Sequence, residues 1–314
     1  MINIGLIGFG RIGRRYFKIL NENKSFNLIK ILRKKKYKKT NLSIKFYNKK
    51  KDFFNKSKNY INAYIIASPV NTHYEYIRTI LQKKKPLIIE KPIVKDVNEL
   101  NKIKKLSKNI NYPVLVNHSD LYNPAFKVLE KKIKLIGNFK KIKIVFGKFQ
   151  QIYKINRKSN ILLPYFDWLS HPIAVAIKIA GLPRKIEILN KKTIIKKKFI
   201  FQKIHTRLFC KKKIVDIFFS NNYKIPKRKI LIKGDRGSII YDAYKVKSLQ
   251  LKIKNRKIES YYFKHESSLN NLLEVFSDLV VNKKKINDIS LSIKVMKIIF
   301  LIQKKLNLNI LKKL

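Results

Sequence analysis

Over the first 120 residues, short β-branched runs alternate with stretches of helical period. Ile2 to Ile7 is a nearly continuous apolar run, and Arg11 to Leu20 follows it with apolar positions three and four apart. Asn27 to Leu32, Ala63 to Ala67, Leu87 to Ile89 and Val114 to Val116 repeat the first pattern, and Thr72 to Gln82 and Val97 to Leu106 repeat the second. Strands apolar on both faces, separated by helices, predict a doubly wound parallel sheet covered on both sides. The Lys-rich stretch from Lys34 to Lys58 is less patterned and predicts a short helix and strand among solvated loops.

The rhythm changes after about residue 120. Phe126 to Ile133 has a helical pattern. Strand character then recurs at Ile142 to Phe149, Lys185 to Leu189, Ile194 to Gln202, Arg207 to Phe209, Ile214 to Ser220, Lys229 to Lys233 and Ser238 to Tyr241, which predicts a mostly antiparallel open sheet. Leu269 to Val280 and Leu291 to Leu306 close the chain as amphipathic helices. The pattern predicts an α/β chain of two domains, 1–119 with the parallel sheet and 120–314 an α+β domain, in keeping with a length of 314 residues.

Composition adds a question of charge. The 74 Lys and Arg against 18 Asp and Glu give a formal charge of +56, which in many proteins marks a nucleic-acid or membrane surface. Here the lysines run through nearly every segment among many Ile and Asn, residues that share AT-rich codons. Coding bias therefore accounts for the charge, and no specific nucleic-acid or membrane partner is expected. Such a surface still draws phosphorylated or carboxylated ligands. The single cysteine, Cys210, cannot form an intramolecular disulfide, no Cys/His cluster has zinc-ligand spacing, and no secretory or bilayer-spanning pattern is evident, so the expectation is a cytoplasmic protein without a metal.

The first candidate chemistry is Gly8-Phe9-Gly10-Arg11-Ile12-Gly13, directly after a strand and opening a helix. In this context the spacing is that of a Rossmann dinucleotide loop. Gly8 permits the tight turn, Gly10 leaves room for a pyrophosphate, Gly13 lets the helix pack on the sheet, and the helix N-terminus offers amides to the phosphates. At the end of the second strand, where an acidic residue would bind a free ribose 2′-hydroxyl, stand Arg33 and Lys34. The cofactor expected is NADP or NAD, with the cationic pair favouring the 2′-phosphate of NADP.

Three further motifs follow in order: Ala67-Ser68-Pro69-Val70-Asn71-Thr72-His73, Glu90-Lys91-Pro92 and Asp167-Trp168-Leu169-Ser170-His171. With the glycine loop they make nearly the whole chain resemble the Gfo/Idh/MocA family of oxidoreductases (glucose-fructose oxidoreductase, inositol dehydrogenase). The resemblance implies that Ser68, Pro69, Asn71 and His73 lie along the nicotinamide side of the cofactor, with Glu90 and Lys91 beside it. It implies His171 as acid/base and Lys91 as its close polar partner. It also implies a Lys-Pro peptide that is often cis.

The residue types suit hydride transfer at a carbinol carbon, which needs a group to take or return the hydroxyl proton. Asp167 and His171 are four apart and would share a face on one helix, with Asp167 also placed to cap a helix running from Trp168 to Ala180. His171 has an intrinsic pKa near 6.5, and Lys91 would steady developing alkoxide charge. In place of the family's Arg-Phe or Arg-Trp pair ahead of Asn-Pro, this chain has Asp120-Leu121-Tyr122-Asn123-Pro124, so substrate contacts there are not carried over. The function expected is an oxidoreductase passing a hydride between a nicotinamide and a sugar, sugar nucleotide or cyclitol, in a homodimer or homotetramer. A catalytically inactive cofactor-binding regulator and a polyanion-binding protein are the alternatives.

Overall fold

The computed structural model describes residues 1–34, 44–55, 60–149, 163–196, 199–263 and 268–306. The chain forms two compact units, one of residues 1–117 with 269–296, the other of 118–268 with 297–314. This differs from a single boundary at 119/120, because Leu269–Met296 returns to the first unit. The reason is local: Val114 N–H donates to the Ile286 carbonyl (3.0 Å) and Asp288 N–H to the Val114 carbonyl (2.8 Å), so this segment extends the edge of the parallel sheet.

The first unit runs β1 (Ile2–Ile7), α1 (Arg11–Glu22), β2 (Phe26–Leu32), β3 (Lys45–Tyr47), α2 (Lys50–Phe54), β4 (Ala63–Ile66), α3 (His73–Gln82), β5 (Leu87–Ile89), α4 (Val97–Leu106) and β6 (Val114–Val116). Among the described residues the six strands are parallel in the order β3-β2-β1-β4-β5-β6. β4, β5 and β6 are buried at every position, as strands covered on both faces must be. Helix α1 turns Gly13, Tyr16 and Leu20 inward, one stripe at helical spacing. The strand order reverses between β1 and β4, so the loops after these strands flank a switch point, where ligands of such sheets bind. The short strand and helix expected between Lys34 and Lys58 are β3 and α2; residues 35–43 and 56–59 lie outside the described residues.

The second unit comprises α5 (Pro124–Lys132), β7 (Lys141–Gly147), α6 (Pro164–Trp168), α7 (Ser170–Ala180), β8 (Pro183–Lys196), β9 (Phe199–Cys210), β10 (Ile214–Ser220), β11 (Lys227–Lys233), β12 (Gly237–Asp242), β13 (Lys247–Ile253) and β14 (Glu259–Tyr262). Helices α8 (Ser268–Val281) and α9 (Ile289–Leu306) follow, and the second half of α9 belongs to this unit. Among the described residues the sheet has eight strands, β14-β13-β12-β11-β7-β10-β9-β8, antiparallel except for β7 with β10. Along β9 buried and half-exposed positions alternate; the buried side chains include Ile200, Ile204 and Leu208.

Three sequence expectations need correction here. The strands expected at 185–189, 194–202 and 207–209 are one long hairpin of β8 and β9; residues 197–198 of that expected middle strand lie outside the described residues. Register shifts in β8 near Pro183/Lys185 and Ile188/Asn190 disturb the two-residue alternation by which a strand is read. β13 and β14 were not expected at all. Last, no single helix runs from Trp168 to Ala180: α6 ends at Trp168 and α7 restarts at Ser170, so Asp167 lies inside α6 and does not cap the longer helix. Pro172 explains the restart, because a proline lacks the amide hydrogen and is tolerated only in a helix's first turn.

Candidate functional site

At the end of β1 the three glycines differ in what surrounds them. Gly8 has φ +101°, and a Cβ there would lie 2.5 Å from the Ala67 backbone, where the β1 and β4 loops meet. A Cβ on Gly13 would lie 2.2 Å from the Gly8 carbonyl oxygen. Over Gly10 nothing approaches within 4 Å. Gly10 is also the N-cap of α1, with no side chain capping the helix and no acidic residue in its first turn. Packing thus requires glycine at 8 and 13, whereas the small residue at 10 leaves space in front of free helix amides. That arrangement fits a dinucleotide's pyrophosphate.

The residues around the loop are cationic and aromatic. The guanidinium groups of Arg14 and Arg33 lie 5.9 and 6.0 Å from the centre of the Phe9 ring, which also meets Phe17 and Phe46 edge-on. Arg33 is half-buried at the C-terminal end of β2, and Lys34 beside it is exposed. Arg11 is exposed at the start of α1, and Ile12 follows it.

The loops after β4 and β5 are joined by His73. Its Nδ1 lies 2.9 Å from the Pro92 carbonyl and its Nε2 2.8 Å from the Ser68 carbonyl, and the ring is buried. Burial lowers its pKa to about 4, outweighing the pull of the two carbonyls, so the ring is neutral at pH 7. Ser68 and Thr72 hydroxyls share a 2.8 Å hydrogen bond in the same loop, while Pro69 and Asn71 are exposed. Glu90 is likewise buried: its Oε1 accepts from the Tyr16 hydroxyl (2.9 Å) and the Asn117 amide (2.6 Å), tying the end of β5 to α1 and to the residue after β6. Lys91 is half-buried, and its peptide bond to Pro92 is cis. Of the residues expected along the cofactor, His73 and Glu90 thus serve as framework for the loops that present Ser68 and Lys91.

In the second unit, His171 is the second residue of α7 and is buried. Its Nδ1 lies 3.1 Å from Asp120 Oδ2, and the ring stacks on Phe146 at 5.4 Å and 19°. Asp120, in the 3-10 turn Ser119–Tyr122, also meets Arg228 of β11 at 3.3 Å (Nη1 to Oδ1). Asp167 is half-buried on α6, and its backbone carbonyl accepts from the Ser170 hydroxyl at 3.1 Å. Trp168 is buried edge-on to Phe146. Sequence reading therefore missed two residues beside His171, Asp120 and Arg228. Asp120 stood out only as a departure from the family pattern, and nothing local separates Arg228 from Lys227 and Lys229.

Residues 2–118 match the family described as an oxidoreductase family with an NAD-binding Rossmann fold, Gfo/Idh/MocA. The chain carries the NAD-binding domain of that oxidoreductase family. No curated protein matches by sequence. Among solved structures, the oxidoreductase from Agrobacterium radiobacter in complex with NAD+, L-tartaric acid and magnesium is similar at 14% identity, covering 94% of this chain and 93% of its own, with a TM-score of 0.77. The UDP-N-acetylglucosamine 3-dehydrogenase of Acidithiobacillus ferrooxidans is 15% identical over 94% of each chain (TM-score 0.76). Biliverdin reductase from Synechocystis sp. PCC 6803, in complex with biliverdin and NADP+, is 14% identical over 96% of this chain and 98% of its own (TM-score 0.75). At these identities the likeness establishes the fold, and that fold extends beyond the Rossmann portion. No helix among the described residues is long and apolar enough to cross a membrane.

Proposed function

We propose that this Gfo/Idh/MocA-type chain is an NAD(P)-dependent dehydrogenase or reductase acting on a CH–OH or carbonyl carbon of a sugar, sugar nucleotide or cyclitol, with sugar nucleotides the preferred class. The observation that carries the reading is the contrast between crowded Gly8 and Gly13 and open Gly10 in front of the α1 N-terminus. Arg33 and Lys34 at the end of β2 support NADP over NAD. The bound nicotinamide would supply the hydride acceptor or donor. The chain's own task is the proton, assigned to His171, while Lys91 is assigned to hydrogen-bond a developing alkoxide. Asp167 is assigned to substrate hydroxyls near His171.

Two observations support the sugar-nucleotide class. One solved relative is named as a UDP-N-acetylglucosamine 3-dehydrogenase, and a formal charge of +56 favours phosphate-bearing ligands. A homodimer or homotetramer in the cytoplasm belongs to the same proposal. Its support is the sheet face opposite Ile204 and Leu208, where His205 stacks on Phe218 at 4.0 Å and Ile240 is exposed.

The test is a turnover and thermal-shift screen of UDP-N-acetylglucosamine, related nucleotide sugars and free cyclitols, each with NADP+ and NAD+. Cofactor reduction with a nucleotide sugar is the expected result. Dinucleotide binding with no turnover of any of them would favour the regulator instead.

A further inference from the structure

We infer that Asp120 is the positioning residue for His171, presenting Nε2 as the proton-carrying nitrogen, with Arg228 holding Asp120 from the other side. This deepens the proposed function and rests on its assignment of proton transfer to His171.

The three side chains come from distant parts of the second unit. Asp120 sits in the turn Ser119–Tyr122, His171 at the start of α7 and Arg228 near the start of β11, yet they form one file: Arg228 Nη1 to Asp120 Oδ1 at 3.3 Å, then Asp120 Oδ2 to His171 Nδ1 at 3.1 Å. The Asp120 and His171 side chains are 6% and 8% exposed, so water does not compete for the contact. Burial alone would raise the Asp120 pKa; Arg228, His171 and His118 overcome that and hold the carboxyl well below the usual carboxylate range. An ionised carboxylate only accepts. Nδ1 must therefore donate, and the neutral imidazole is fixed as the Nδ1–H tautomer.

The consequence is chemical. With its proton on Nδ1, the neutral ring takes a substrate proton at Nε2, and the imidazolium that forms is stabilised by the carboxylate behind it. The Ser119 hydroxyl, 3.5 Å from the same Nδ1, cannot select a tautomer, because a hydroxyl both donates and accepts. Ring orientation is fixed as well: His171 lies on Phe146, and the Arg228 guanidinium lies 4.9 Å from the centre of the same ring. Arg228 thus braces both the carboxylate and the surface on which the imidazole rests. A carboxylate that served packing alone would not need to lie in line with Nδ1.

Imidazole nitrogen NMR of the ¹⁵N-histidine-labelled full chain, at a pH where the ring is neutral, tests the geometry without any substrate. The expected result is a proton on Nδ1 of His171, and on Asp120→Asn a mixture of tautomers, since an amide both donates and accepts. The second arm measures UDP-N-acetylglucosamine oxidation with NADP+ and NAD+, taking circular dichroism melts as the check on folding. Asp120→Asn should lower turnover by about 10²- to 10⁴-fold, the range for losing a proton-transfer group or its tautomer, with KM changed less than about 3-fold. A Nε2–H tautomer in the parent protein overturns the inference, and that result stands even where Asp120→Asn does not fold. So does Asp120→Asn turnover within about 3-fold of the parent while His171→Ala is inactive. If His171→Ala keeps its turnover, or the parent oxidises no nucleotide sugar, the functional reading fails and the positioning role falls with it.

Discussion

His171 Nδ1 lies 3.1 Å from Asp120 Oδ2 in the interior of the second unit, and the carboxylate in that contact is not that of Asp167 four residues before the histidine. A pairing inferred from sequence spacing is therefore supplied by a residue far away in the chain. It leaves His171 with one nitrogen committed to protein and one to chemistry.

His171→Ala should lower turnover by about 10²- to 10⁴-fold while changing dinucleotide affinity by less than about 2-fold. Steady-state kinetics combined with cofactor titration checks both numbers. Near-parental turnover across pH 6 to 9 would show that proton transfer belongs to another residue.

Arg33 stands at the β2 end, half-buried, with its guanidinium 6.0 Å from the centre of the Phe9 ring. A charge-assisted contact to a 2′-phosphate contributes about 1.5 to 3 kcal/mol. Arg33→Ala is thus expected to weaken NADP about 10- to 100-fold and to leave NAD nearly unchanged. Equal losses for both cofactors in a calorimetric titration would remove the NADP preference.

His73 makes stability depend on pH with a definite sign. Its pKa falls from 6.5 to about 4 on folding because burial disfavours the charged ring, so between those values the unfolded chain binds the extra proton. The stabilisation is complete above pH 6.5 and is lost as pH falls towards 4, on the order of 3 kcal/mol in total. Asp120, with its pKa depressed, loses its contribution only at lower pH, below the usual carboxylate range. Urea unfolding at pH 7 and pH 4.5 should show the loss in the parent chain and a smaller one in His73→Asn; identical pH slopes for the two would contradict this account.

The first unit was legible because its signals are local. A buried strand, a tight turn and a helix occupy consecutive residues from Ile2 to Glu22, and the glycines sit where backbone geometry demands them. β8 was less legible because its bulges shift which side chains face inward, and β13 because Lys247 and Lys252 blur its alternation. The break between α6 and α7 was signalled by Pro172, which a reading of apolar period passes over. Asp120 and Arg228 are 108 residues apart, and no periodicity connects them. Their pairing is a product of sheet order, which puts β11 beside β7 and so brings Arg228 against Phe146.

The central claim, a nicotinamide dinucleotide bound at the β1 turn, is tested most directly by NADPH fluorescence titration of the parent chain, Gly13→Ala and Gly10→Val. No protein atom lies within 4 Å of a Cβ at Gly10, so Gly10→Val should fold with a melting temperature close to the parent's and bind no cofactor, because its side chain fills the pyrophosphate space. Gly13→Ala meets the Gly8 carbonyl oxygen at 2.2 Å and should instead destabilise the fold by about 1 to 3 kcal/mol. Saturable NADPH binding by the parent and none by a folded Gly10→Val is the result this account predicts; equal affinity in the two, or no binding by the parent, would contradict it.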